Sequence, residues 1–221
     1  MSKRILCYGA SNTWGFKPNS FNPKTGLAER YARHERWPSI LAKELHEFEI
    51  IEEGLNGRTT MFDDAIAQKP YRNGLTQLPI ILESHYPIDL VIFMLGTNDL
   101  KTQYDKSIDE ISNGMKYLID IVMASNKGPY GSSPKVLVIA PQPILREGLI
   151  HPTSFDNSSI QKSHLLSEAY EKVCAESGCF FLDASKFIKS SLNDGIHLDI
   201  SEHRKLAEAL KNKLQVLYDP S

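Results

Sequence analysis

The chain has 221 residues, 41% hydrophobic and 24% charged, with 25 basic against 27 acidic side chains and a formal net charge of −2. That length and composition suit one large globular domain able to bury a full core without disulfides or metals. The charge balance argues against a nucleic-acid footprint or a polybasic membrane patch, and no apolar stretch approaches the ~20 residues of a membrane span.

Along the chain, Arg4–Tyr8 reads as a short apolar strand stopped by Gly9. Its run Ile5–Tyr8 is too short for a signal-peptide core. Trp37–Phe48 repeats Trp37, Ile40, Leu41, Leu45 and Phe48 at helical spacing. Glu49–Glu53 predicts a second strand ending at Gly54, and Gly74–His85 a helix closed by Tyr86-Pro87. Asp89–Leu95 is a continuous apolar run, the pattern of a strand buried on both faces. Ser107–Ser125 predicts a long amphipathic helix, and Lys135–Ala140 another buried strand, stopped by Pro141. Ser159–Ser177 follows as a helix, Cys179–Leu182 as a short strand, and Ser201–Leu217 as a last helix with Ser201 at its N-cap. The polar stretches Lys17–Arg30 and Gly128–Pro134 read as loops, the first placed to shape a site. Cys7, Cys174 and Cys179 make an odd count with no zinc-type second pair, and are expected as reduced thiols of a cytoplasmic protein.

Strand segments alternating with helices imply parallel pairing through right-handed crossovers. The expected fold is a single α/β domain over residues 1–221: a three-layer α/β/α, doubly wound, five-stranded parallel sheet with flavodoxin-like strand order.

Such sheets bind ligands beyond the carboxyl ends of their strands. The segments expected there are Gly9–Gly15, Gly54–Thr60, Gly96–Asp99, Pro141–Pro143 and, beyond a short helical stretch, Asn193–His197. Together they hold the parts of acyl transfer: a nucleophile, a base, an orienting carboxylate and donors for an oxyanion. Ser11 is the candidate nucleophile, at the mouth of a helix. His197 is the candidate base, and Asp194, three residues earlier, can fix its tautomer. The backbone N–H groups of Ser11 and Gly57 and the side-chain amide of Asn98 are the candidate oxyanion donors. Trp14, Phe16 and Ile196 are candidate substrate-binding walls. Each has a plainer reading: Ser11 as an N-cap, His197 as a surface histidine, Asn98 as a turn residue, Gly57 for backbone freedom, and the three apolar residues as core. Asp99 is expected to hold its loop through backbone amides or Arg58. Cys7, inside the first strand, is a poor catalytic thiol. No G-x-G-x-x-G, phosphate loop, H-E-x-x-H or G-x-S-x-G occurs, so no cofactor and no metal is expected.

Four blocks, Gly9-Ala10-Ser11, Gly57, Gly96-Thr97-Asn98-Asp99 and Asp194-Gly195-Ile196-His197, resemble in order those of the SGNH (GDSL-like) hydrolases. The flanks Glu52–Thr60, Leu82–Lys101 and Asp194–Asp199 resemble the subgroup of arylesterases, acyltransferases or perhydrolases, and carbohydrate acetylesterases. One position departs: Ala10 stands where the family carries Asp. The resemblance implies a Ser11–His197–Asp194 triad acting on small acyl esters, with water, alcohol or peroxide as acceptor, and a homo-oligomer. It also leaves open a lysophospholipase or thioesterase of the same triad. The Ala10 departure leaves open a non-catalytic flavodoxin-like binding module. A small-molecule ester is the expected partner, with no nucleic acid and no membrane.

Overall fold

In a computed structural model that describes residues 2–64, 70–149 and 154–218, five strands form one parallel sheet. They are β1 (Lys3–Gly9), β2 (Phe48–Gly54), β3 (Leu90–Met94), β4 (Lys135–Ala140) and β5 (Phe180–Asp183), in the order β2-β1-β3-β4-β5. This is the expected flavodoxin-like order, with the chain doubling back at β1.

The helices are α1 (Ser11–Trp14), α2 (Trp37–Glu44), α3 (Gly74–His85), α4 (Ile108–Ala124), α5 (Asn157–Ser177) and α6 (Ile200–Tyr218). Alternation along the strands splits the core into two layers. Leu6, Tyr8, Val91, Phe93, Val136 and Val138 pack with α3, α4 and α5. Ile5, Cys7, Leu90, Ile92, Leu137 and Ile139 pack with α2 and α6. All five residues of β3 are buried, which is why its sequence is apolar without a period.

Several boundaries differ from the sequence expectation, each for a local reason. The helix from Trp37 stops at Glu44, because Leu45 closes a turn with Phe48 N–H and Phe48 already pairs with Lys3 in the sheet. Both residues stay buried, so apolar spacing runs through the break. Helix α5 starts at Asn157 because the Asp156 carboxylate caps it, accepting from Ser159 N–H at 2.8 Å. Strand β5 is one residue later than expected, since Cys179 N–H is used on Cys174 O at the end of α5. Ser201 is not an N-cap: His203 N–H donates to Asp199 O at 3.1 Å, so Asp199 takes the cap position and Ser201 lies within α6. No helix among the described residues is long and apolar enough to cross a membrane.

Candidate active site

Strand β1 delivers the chain to the sheet edge at Gly9, and α1 begins two residues later with Ser11. The turn is tight. A Cβ on Gly9 would collide with the Thr13 side chain, and one on Gly54, at the end of neighbouring β2, would collide with the Trp14 amide. Ala10 occupies the N-cap of α1 with no side-chain bond to the helix; its methyl packs into the core layer shared with α3, α4 and α5.

Ser11 Oγ lies 2.9 Å from His197 Nε2, and His197 Nδ1 lies 2.7 Å from Asp194 Oδ2. The other Asp194 oxygen accepts from the N–H groups of Ile196 (3.0 Å) and His197 (2.9 Å), and Asn19 N–H reaches Oδ2 at 3.3 Å. Burial pushes the Asp194 carboxyl up. The hydrogen bond from His197, with the two N–H donors, outweighs it and holds the group below its ordinary range. An ionised Asp194 assigns the Nδ1–H tautomer to neutral His197, leaving Nε2 as acceptor for the Ser11 hydroxyl.

Gly57 has φ of 82°, a conformation that favours glycine, in the turn after β2. Among the described residues neither Ser11 N–H nor Gly57 N–H meets an acceptor. Asn98 opens a 3-10 turn after β3; its Nδ2 donates to Arg58 O at 3.1 Å, which fixes the amide plane and leaves a second N–H on the same nitrogen. Asp99 holds its loop through Thr60, accepting from its N–H at 2.8 Å and its hydroxyl at 2.5 Å. Arg58 is not its partner, contrary to one of the two expectations. That guanidinium lies over the Tyr8 ring, 4.0 Å from the centroid, and donates to Gly9 O, Glu53 O and Gln77. Full burial pushes the Asp99 carboxyl up to about 6.

The three expected pocket walls divide. Phe16 lies flat on the His197 imidazole, with centroids 4.0 Å apart. Trp14 meets the Phe16 ring at 6.5 Å and the Arg30 guanidinium at 5.0 Å. Ile196 is half-buried, its backbone N–H and C=O both engaged beside His197. The loop after Phe16 reaches Asp194 through the Asn19 N–H. Among the other histidines, His203 is buried; that burial, with the positive charge of Arg36 adding to it, brings it down to about 3. Its Nδ1 accepts from Trp37 N–H at 3.4 Å.

Sequence reasoning missed three side chains: Asn12, Thr60 and Gln142. Asn12 Oδ1 accepts from Leu198 N–H at 3.1 Å, and Gln142 Nε2 donates to Ile196 O at 2.8 Å. The signal available was position alone, since each sits in one of the segments that follow the strands.

Residues 7–204 match the GDSL-like lipase/acylhydrolase family. No curated protein matches the chain. Among solved structures, an aryl esterase from M. smegmatis is 38% identical over 98% of this chain and 100% of its own, with a TM-score of 0.90. A carbohydrate acetylesterase from Sinorhizobium meliloti is 36% identical over 98% of this chain and 100% of its own, with a TM-score of 0.89. A second carbohydrate acetylesterase family member from that organism is 31% identical over 97% and 98%, with a TM-score of 0.85. A family match over most of the length, together with esterase structures of the same fold and size, means that this chain belongs to the GDSL-like lipase/acylhydrolase family and is a carboxylic ester hydrolase of the SGNH type.

Proposed function

We propose that the chain is a serine esterase of small acyl esters, acetyl esters foremost, working through Ser11, His197 and Asp194 with Ser11 N–H, Gly57 N–H and Asn98 Nδ2 as oxyanion donors. The observation that carries the reading is the unbroken line Asp194 Oδ2–His197 Nδ1 at 2.7 Å and His197 Nε2–Ser11 Oγ at 2.9 Å. The relatives' names, aryl esterase and carbohydrate acetylesterase, support an acetyl group on an aryl or sugar alcohol.

Ser11 Oγ attacks the ester carbonyl as its proton passes to His197 Nε2. The C–O π pair moves onto oxygen, where the three donors receive the charge; each such donor is worth about 3 kcal/mol in the transition state. Collapse expels the alkoxide, which takes the proton from His197, and the acyl group stays on Ser11. Water then repeats the sequence with His197 as base and releases the acid. An alcohol or peroxide in place of that water gives acyl transfer instead.

The test is turnover of p-nitrophenyl acetate by wild type and Ser11→Ala, beside mass spectrometry after a sulfonyl fluoride. The expected result is Ser11-dependent turnover and an adduct on Ser11. No adduct together with no turnover leaves the binding-module reading standing. A panel of aryl acetates, acetylated sugars and longer acyl chains then ranks the acyl and alcohol parts, and added alcohol or peroxide reads the acceptor.

A further inference from the structure

His197 stands on an irregular segment between β5 and α6, with no strand or helix ladder to hold it. Its distance to Ser11, across 186 residues of sequence, therefore depends on how the backbone on each side is tied. Asp194 Oδ1 takes the N–H groups of Ile196 and His197, and Ser191 N–H takes His197 O at 2.8 Å. Two groups remain, Ile196 O before the base and Leu198 N–H after it, and two amide side chains meet them. Asn12, the residue next to the nucleophile, accepts from Leu198 N–H at 3.1 Å and points Nδ2 at Ile196 O at 3.5 Å. Gln142, just beyond β4, donates to Ile196 O at 2.8 Å. Ser190 Oγ lies 3.4 Å from the same oxygen, but its single proton is better placed on Pro143 O at 2.9 Å.

Gln142 is 2% exposed, and its Oε1 meets no donor among the described residues. The acceptor at Ile196 fixes which end of the amide faces it, so the orphan cannot be relieved by a flip. An amide buried with half its bonding unmet is unfavourable for folding. Resting on the esterase reading above, we infer that Asn12 and Gln142 are positioning residues: a two-amide clamp that sets the His197 imidazole against Ser11 at the expense of stability.

Gln142→Met keeps the shape and removes both the bond and the orphan Oε1, and Asn12 Nδ2, 3.5 Å away, is left to serve Ile196 O. The clamp predicts unchanged or raised thermal stability, kcat for p-nitrophenyl acetate lower by about tenfold, and KM within about twofold. Gln142→Glu adds a pH signature. Its protonated carboxyl donates to Ile196 O, and its carboxylate repels it, so the variant to wild-type ratio of kcat falls as pH rises from 5.5 to 8. The Gln142→Met ratio stays flat. Asn12→Ala gives a similar kcat loss and shifts or broadens the low-field proton resonance of His197 Nδ1–H, a readout independent of any ester. Gln142→Met with wild-type kcat and lower stability overturns the clamp in favour of a packing role. Failure of the esterase reading is distinct: it appears as wild-type turnover unaffected by Ser11→Ala, and it removes the clamp's purpose with it.

Discussion

The Phe16 ring and the His197 imidazole are stacked 16° from parallel at 4.0 Å. The contact covers one face of the proposed base with an electron-rich surface, and the proposed mechanism makes that base a cation while the acyl-enzyme forms or breaks down. A flat aromatic face favours that cation by about 0.5–2 kcal/mol. Phe16→Leu, which keeps the bulk and loses the π face, should therefore lower kcat by roughly 3- to 30-fold, while Phe16→Tyr stays near wild type. Equal kcat for the Leu and Tyr variants would show that the ring serves only as a wall.

Asp194 uses both carboxylate oxygens, one on two backbone N–H groups and the other on His197 Nδ1 and Asn19 N–H. An asparagine cannot accept at both. With its oxygen on the backbone pair, its NH2 faces Nδ1 and forces the proton to Nε2, where it confronts the Ser11 hydroxyl. Asp194→Asn should reduce kcat by on the order of 10⁴-fold, the cost of a wrong tautomer in this kind of triad, with the fold intact by circular dichroism. A variant retaining more than a tenth of wild-type kcat would remove Asp194 from the proposed role.

What the sequence disclosed follows physical lines. Strands β3 and β4 were legible because burial on both faces leaves no room for polar residues, and α3 because Tyr86-Pro87 stops it. The end of α2 was not, since Leu45 and Phe48 are apolar for two different reasons, helix packing and sheet packing. Ser11, Gly57, Asn98, Asp194 and His197 could be picked out because parallel sheets gather chemistry at one edge. The bonds that tie the segments carrying them, Thr60 to Asp99 across 39 residues and Asn12 to Leu198 across 186, leave no periodic trace.

Two glycines in the segments around Ser11, the proposed nucleophile, should respond differently to alanine. Gly54 packs so closely on α1 that a methyl would overlap the Trp14 amide and the Thr13 carbonyl carbon, all backbone. Relief requires α1 to move, and Ser11 with it. At Gly57 the nearest atom to a new Cβ is Arg72 Nε at 3.5 Å, ordinary contact, so the cost is the positive φ alone, about 1–2 kcal/mol. Gly54→Ala should lower both the denaturation midpoint and the rate of Ser11 sulfonylation. Gly57→Ala should lower the midpoint while its Ser11 sulfonylation rate stays within a few-fold of wild type. Wild-type sulfonylation in Gly54→Ala would mean that the two elements are not rigidly coupled.

Asp99 gives the fold a pH dependence of unusual sign. Its carboxyl is fully buried, one oxygen on Thr60 and the other without a donor among the described residues. Burial raises it to about 6 in the folded chain, against about 3.9 when unfolded. Between those values the folded state holds a proton that the unfolded state has released, so stability from this group falls as pH rises from about 4 to about 6. The full difference is on the order of 3 kcal/mol. Carboxylates held low, such as Asp194, act in the opposite direction, so the effect has to be isolated by subtraction. Asp99→Asn keeps an oxygen for both Thr60 donors and removes the titration. The unfolding free energy of wild type minus that of Asp99→Asn, from urea melts, should therefore decline between pH 4 and pH 7 by that order. Parallel curves across this range would mean that the buried carboxyl ionises as easily in the folded chain as in water.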